Sequence, residues 1–457
     1  MWDVAVVGGG PVGLFLAAEL RRGGVSVVVF ERAPAGAAGT QDGGDRGLQA
    51  RTLQLLRLRG LLDAVRARAA AVGGPGIADF AGDPGDAAPP EIAELVENWG
   101  TSRLKGHFAM LPLIDRDATM SDVPPQLAVW QGRLVEVLAE HAHERGAVLR
   151  HGCEVTAVAD RGDHVEVALA DGTRDSARWL VGCDGGHGVV RTGFDVDHTD
   201  PAMVVLMAHA ALEPAGLLPP GVHRTAGGLM FVNPPPGEIV VAEFGHPALG
   251  RRGPVGRTEF VDAVRRVSGA EVTVATFERA VRVTDHARLA RDYRRGRLLL
   301  AGDAAHLHSP MGGQGLNLGL QDAANLGWKL ASVVLGADDA LLDSYGRERR
   351  PAAQRVLRDT LAQSALLRTD PHSEALRAVV AELVELPQAK RHLAELVAGT
   401  ATRLPAPPGC HPLTGTFAPA AALAAITPDT VRPVHVRPDG LPAMVVRPDG
   451  YVESVTG

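Results

Sequence analysis

Asp3-Val4-Ala5-Val6-Val7 is an apolar run of strand length that stops at the glycine cluster Gly8-Gly9-Gly10. It has the character of a buried parallel strand. The next residues predict a helix over roughly Pro11 to Arg22, with the proline at a first position where a missing N–H costs nothing. A second strand, Ser26 to Phe30, completes a strand–helix–strand unit. Residues 34 to 47 are rich in Gly, Ala, Asp and Thr and read as a loop, and Gln49 to Ala71 reads as helical. Residues 73 to 90 are crowded with glycine and proline and predict a flexible excursion. Gln131 to Glu144 is an amphipathic helix with Leu134, Leu138 and His141 on one face. Strands alternate from Val148 to Leu169 and end at an Asp171-Gly172 hairpin turn, after which Trp179-Leu180-Val181-Gly182 returns to the first unit. Val204 to Ala211, Leu229 to Val232 and Ile239 to Phe244 have strand character. Arg297 to Ala301 reads as a buried strand, and Leu316, Leu320, Ala323, Ala324 and Leu330 predict a helix from Gly315 onward. Leu341 to Ala398 is helical, and Pro405-Ala406-Pro407-Pro408-Gly409 marks a linker.

This order predicts an α/β protein with a Rossmann-like nucleotide domain made of two pieces, 1–195 and 286–340, with roughly 75–130 turned to the substrate side. Residues 196–285 form an inserted β-sheet domain, 341–402 a helical segment and 403–457 a C-terminal extension. The insertion is the natural roof over a substrate pocket. At 457 residues the chain can bury a large core, and 46% hydrophobic with 22% charged residues suits a globular protein. A net charge of −7 argues against nucleic acid and anionic membranes as partners. Cys153, Cys183 and Cys410 are too few and too scattered for a disulfide framework or a CxxC pair. No apolar stretch reaches membrane-spanning length, and Met1-Trp2-Asp3 lacks a basic leader, so a cytoplasmic protein is expected.

The candidate chemistry lies at the ends of the nucleotide domain. Gly8, Gly10 and Gly13 have the G-x-G-x-x-G spacing: a tight turn, close backbone approach to a pyrophosphate, and close helix–strand packing. The helix at Pro11 offers free N–H groups and its positive dipole end to phosphates. Glu31, at the end of the second strand, is placed to accept from ribose hydroxyls. Gly302-Asp303 follows the second buried strand, and its carboxylate can accept from a ribitol or ribose hydroxyl. The loop Pro310 to Gln314 leads into the helix at Gly315, whose N-terminus can stabilise negative charge on a reduced flavin. The two pieces together point to FAD. His306-Leu307-His308 beside Asp303 mimics a metal site but falls inside this loop, so no metal is expected. Arg251-Arg252 and Arg347 to Arg350 read as solvated faces. Ser309 has no catalytic partners at a suitable spacing, and none of His107, His209, His223 and His246 is singled out as a base.

The chain resembles the class A flavoprotein monooxygenases, the aromatic hydroxylase superfamily of para-hydroxybenzoate hydroxylase, in the style of actinobacterial aromatic-polyketide hydroxylases and rifampicin monooxygenase. Three signatures carry the resemblance: the glycine fingerprint; Cys183-Asp184-Gly185 followed by Arg191; and Gly302-Asp303 with its Pro310 loop. It implies a GR2-type FAD domain that holds non-covalent FAD through Gly8, Gly10, Pro11, Val12, Gly13, Glu31, Arg32, Asp184, Gly302, Asp303, Pro310, Gly313, Gly315, Leu316 and Asn317. By the same resemblance Arg46 reaches the pyrophosphate, Gln131 reaches FAD, and Val155 contacts adenine through its backbone. Relatives carry a thioredoxin-like extension ending in an Arg-Pro-Asp-Gly turn. Here that turn occurs twice, at Arg437 to Gly440 and Arg447 to Gly450, and the extension looks shortened, without a CxxC. We expect a remnant that serves structure or an oligomer contact.

The resemblance implies hydroxylation of a large aromatic, polyketide-like substrate with NADPH or NADH and O2, through a C4a-hydroperoxyflavin. Such chemistry asks the protein for positioning and exclusion of water more than for acid–base groups. The nicotinamide donor would visit transiently, and the assembly would be a monomer or homodimer. Two alternatives stay open: a Baeyer–Villiger or antibiotic-inactivating oxygenase, and a non-catalytic flavin- or ligand-binding protein.

Overall fold

The computed structural model describes residues 1–36, 45–70, 107–113, 123–124, 126–233, 237–246, 249, 251, 253–309 and 312–456. The glycine-rich excursion expected at 73–90 lies outside them, as does Pro310.

Among the described residues the central sheet has eight strands. Its backbone runs in the order Arg294–Arg295, Leu298–Leu300, Arg174–Gly182, Trp2–Val7, Val27–Glu31, Val148–His151. From Leu298–Leu300 to Val148–His151 all neighbours are parallel. Val4 to Val7 and Val27 to Phe30 are fully or nearly buried because helices cover both faces, which is why these strands read as unbroken apolar runs. The helix Pro11–Arg22 lies between them in sequence and packs on the helices Gln131–Glu144 and Gly315–Val334. Val155–Asp160 and Val165–Leu169 extend the Arg174–Gly182 strand as an antiparallel ribbon.

A second sheet, of five antiparallel strands, runs in the order Gly221–Thr225, Gly228–Val232, Gly237–Phe244, Met203–Glu213, Thr273–Thr284. Its alternation is clean. Val204, Leu206, Ala208, Met230, Ile239 and Val241 pack on Phe260, Val264 and Val267 of the helix Arg257–Ser268. Met203, Val205, Leu229, Phe231, Val240, Ala242 and Phe244 face the other way, toward Phe108, Leu111 and Leu113. Phe108 and Leu111 belong to a small hairpin, His107–Phe108 with Leu111–Pro112, which Leu113 follows; helices Asp343–Leu367, Pro371–Val384 and Pro387–Val397 back it.

Several expectations need correction. Part of the loop expected at 34–47 is strand: Asp45–Gln49 pairs with Gln126–Trp130. The helix expected over Gln49–Ala71 is two, Ala50–Leu58 and Leu62–Ala70, because Gly60 takes φ +70° between them. The second sheet gains Gly221–Thr225 and Thr273–Thr284. The tail folds as an antiparallel sheet, Val434–Val436, Ala443–Val446 and Val452–Thr456, and docks on its own chain. There Arg447 pairs with Glu348 and Asp449, while Arg59 joins buried Glu19 at 2.6 Å and donates to the Pro448 carbonyl at 2.8 Å.

Candidate functional site

Gly8 adopts φ +106°, and a methyl group there would lie 2.3 Å from the Cys183 carbonyl oxygen. One at Gly13 would lie 2.0 Å from the Gly8 carbonyl oxygen. Strand end, helix start and the neighbouring strand therefore close on one another with no side chain between them. Gly10 differs, because a methyl group there would meet nothing within 4 Å. The helix starts at Pro11 with no side-chain cap and no acidic residue in its first turn, so its N–H groups face that open space. This is the backbone surface a pyrophosphate fits.

Glu31 ends the Val27–Glu31 strand, with one carboxylate oxygen on the Gly9 N–H at 2.7 Å and the other on the Ala33 N–H at 2.8 Å. Each oxygen keeps a lone pair for a hydroxyl. The Cys153 N–H donates to the Glu31 carbonyl at 2.9 Å, which sets Val155, first residue of its strand, beside this edge. Arg32 is exposed next to it.

The second half begins where Leu298–Leu300 ends in a turn over Gly302–Ala304. The Asp303 side chain is exposed and meets no hydrogen-bond donor among the described residues. A methyl group at Gly315 would lie 3.7 Å from Asp303 Oδ1, so the carboxylate stands over the N-terminus of the helix Gly315–Val334. That helix has no side-chain cap and no acid in its first turn. The Gly313 backbone beside it is open, and Leu316 is half-buried. Val12 joins the halves: methyl groups on Gly302 and Gly319 would lie 3.1 Å and 2.6 Å from its side chain.

Asn317 is buried and works as a clip. It donates to the carbonyls of Gly47 at 2.8 Å and Gly313 at 2.9 Å, and accepts from the Gln49 N–H at 2.8 Å. Strand pairing sets Arg46 opposite Val129, two residues from Gln131 at the start of the helix Gln131–Glu144, although the Arg46 side chain itself lies outside the described residues. Asp184 turns one oxygen to the Val190 N–H at 3.0 Å and buries the other without a partner; burial pushes its carboxyl up. Arg191 donates to the Gly186 carbonyl.

Beneath this surface lies a buried charged cluster that sequence reasoning missed. Asp322 accepts from His306 Nε2 at 2.5 Å, Arg349 Nε at 2.8 Å and the Gly302 N–H at 3.2 Å. Burial alone would raise the Asp322 carboxyl, but His306 and Arg349 outweigh it and hold it below the usual range. Arg349, expected on a solvated face, is 1% exposed. Its helical neighbours Tyr345, Ala352 and Ala353 are buried at i−4, i+3 and i+4, a spacing visible in the sequence. His306 and His308 serve separate partners, the latter's Nδ1 donating to the Ser309 carbonyl at 2.8 Å. Among the described residues no group of three or more His, Cys, Asp or Glu could hold a metal ion. Of the other histidines, His107 has its pKa pushed down by burial and accepts from the Met110 N–H, and His223 binds the Pro219 carbonyl. A surface depression of about 460 Å³ around Pro351, Arg355, Arg358 and Arg403 shares no residue with this site.

The FAD binding domain family matches residues 1–360. A 12-dehydrotetracycline 5-monooxygenase/anhydrotetracycline 6-monooxygenase of Streptomyces rimosus is 37% identical over 437 residues, covering 92% of this chain and 80% of that protein. A rifampicin monooxygenase of Rhodococcus hoagii is 36% identical over 423 residues, covering 88% of this chain and 79% of that one. The solved anhydrotetracycline hydroxylase of Streptomyces rimosus superposes with a TM-score of 0.83 at 34% identity, covering 100% of this chain and 96% of the other.

Proposed function

Since this chain belongs to the FAD binding domain family and is an FAD-dependent monooxygenase using NAD(P)H and O2, we propose that its substrate is a large, flat aromatic compound of the polyketide kind, which it hydroxylates. The observation that carries this reading is the apolar face of the second sheet. On it Phe231, Val240 and Phe244 are only half-buried, over a core of Met203 and Val205 that the face shares with the His107–Pro112 hairpin. Such a surface suits stacked rings better than a single-ring acid.

Bound FAD, once reduced by NAD(P)H, supplies the transfer of one oxygen atom from O2 to the substrate. The protein's part is binding and position. The first turn of the Pro11–Arg22 helix and Gly10 take the pyrophosphate, with Arg46, and Glu31 takes ribose hydroxyls while Val155 meets adenine through its backbone. Asp303 takes a ribityl hydroxyl, and Gly313, Gly315 and Leu316 offer backbone N–H groups to the flavin ring edge. Asn317 acts one step back by holding Gly313. Gln131, Arg32, Asp184 and Pro310 complete the proposed contacts. Residues 1–195 and 286–340 then form the cofactor domain, 196–285 the substrate domain, 341–402 a helical brace and 403–457 a docked tail.

Among the described residues no helix is long and apolar enough to cross a membrane. We place the protein in the cytoplasm, as a monomer or homodimer. The test is NADPH oxidation with a panel of phenols under labelled dioxygen. Tricyclic and larger phenols should accelerate it and carry one labelled atom into product. A preference for single-ring acids, or oxygen arriving from water, refutes the reading.

A further inference from the structure

The depression of about 460 Å³ noted above lies between the helix Asp343–Leu367 and the chain that leads into the tail. Pro351, Arg355 and Arg358 line one wall at i, i+4 and i+7, while Ala352, Ala353 and Leu357 turn into the core. Arg403, Leu404 and Pro405 line the other. That wall is fixed: Leu404 is buried, its N–H donates to the Gly415 carbonyl at 2.8 Å, and the Gly415 N–H donates to the Val452 carbonyl of the tail sheet at 2.9 Å. Arg358, Arg403 and Pro405 are exposed, so the space opens to solvent.

Three arginines face this one space, and among the described residues no acid lines it. Arg358 leans on Asp359 at 2.6 Å, and Arg403 donates to the Pro412 carbonyl. Arg355 is half-buried and has neither a hydrogen bond nor an ion pair among the described residues. Like charges gathered in this way repel one another, which an anion between them would relieve. The chain as a whole carries −7, so the cluster is no part of a generally basic surface. A guanidinium fork matches two oxygens of a phosphate. Pro351, Leu404 and Pro405 supply an apolar side against which a flat ring can lie. The volume falls within the range of about 300–1,000 Å³ usual for small-molecule sites, which gather where separate parts of a fold meet.

We propose that this depression is a second nucleotide site, which takes a nucleoside phosphate. Arg355 holds the phosphate with Arg358 and Arg403 beside it, and the base rests against Pro351, Leu404 and Pro405. Such a ligand can come as a free nucleotide or as the 2′-phosphoadenosine end of NADPH.

The test is calorimetric titration of FAD-loaded protein, whose flavin site is already taken, with 5′-AMP, 2′-AMP, adenosine, NADP+ and NAD+. At least one of the two nucleotides should bind the parent about tenfold or more tighter than adenosine does. Arg355→Gln should weaken that nucleotide about tenfold or more and leave adenosine binding, FAD content and the ligand-free melting temperature at parental values. Loss of 2′-AMP and NADP+ affinity in this variant, with NAD+ unaffected, assigns the site to the donor. Loss of 5′-AMP affinity alone assigns it to a free nucleotide. Adenosine binding as tightly as both nucleotides, no binding by any nucleotide, or affinities unchanged in Arg355→Gln overturns the site. So does a lower melting temperature of ligand-free Arg355→Gln, which would mean that the protein itself uses the guanidinium.

Discussion

Asn317 donates to the Gly47 carbonyl across 270 positions of sequence, and so ties the Asp45–Gln49 strand to the start of the Gly315–Val334 helix. With its bonds to Gly313 and the Gln49 N–H, it holds three backbone groups at once, from a buried position of its own. Asn317→Ala should therefore destabilise the protein by about 2–3 kcal/mol and weaken FAD binding. Asn317→Asp should be worse, because a carboxylate would face two carbonyl oxygens. Denaturant melts and FAD fluorescence titration check both, and a stable Asn317→Asp variant with parental FAD affinity would remove the clip from the account.

Gly10 and Gly13 should fail differently. Alanine at Gly13 drives a methyl group to 2.0 Å from the Gly8 carbonyl oxygen, so the helix must shift, at a cost of about 1–3 kcal/mol, and flavin should be lost with it. Alanine at Gly10 meets no protein atom within 4 Å, and φ −73° suits it. The Gly10→Ala protein should melt as the parent does yet bind FAD at least tenfold more weakly, since the methyl group occupies space the pyrophosphate needs. Equal FAD affinity in Gly10→Ala would move the phosphates elsewhere.

These features were legible to unequal degrees. The fingerprint and the Gly302–Lys329 stretch could be read because their signals are local: apolar runs punctuated by glycine, then helical spacing. Thr273–Thr284 was passed over because polar residues, Glu278 and Arg282 among them, interrupt its apolar run. Arg349 was misread because charge was weighed ahead of helical phase, though Tyr345 and Ala353 shared its face. The partner of Asn317 could not be read at all, since nothing near Gly47 marks a carbonyl as awaiting a donor.

Asp303 and Asp322 are both carboxylates of the second half, and substitution should separate them. Asp303 is exposed and meets no donor among the described residues, so Asp303→Ala should leave stability within about 0.5 kcal/mol of the parent. Its FAD affinity should fall about tenfold or more, the worth of one charge-assisted hydrogen bond. Asp322 is buried against His306 and Arg349, and Asp322→Ala strands the Arg349 charge. That should cost about 3–5 kcal/mol. Apo-protein melts set beside FAD titrations read both effects, and a destabilised Asp303→Ala apo-protein would contradict the assignment.

The tail should release in acid, and Glu348 sets the window. Burial alone would raise this carboxyl, but Arg447 and Lys329 outweigh it and hold it at about 2, against an ordinary 4.5. Between those values the unfolded chain takes up a proton that the folded chain refuses, so stability falls as pH drops from 4.5 toward 2. The full effect is about 3 kcal/mol, an upper figure for a group that keeps slight solvent contact. Lys329 adds a slope of the same sign at the alkaline end. Burial and Arg447 bring it down to about 8 despite Glu348, so its share of stability is regained as pH rises from 8 toward 10.5. Melting curves from pH 2.5 to 7 should fall more steeply for the parent than for Glu348→Gln, whose amide has no proton to take up. The variant should start lower at pH 7, because Lys329 and Arg447 lose a buried partner. Parallel curves for the two proteins would mean that acid lability arises elsewhere and that the tail is held by its apolar contacts.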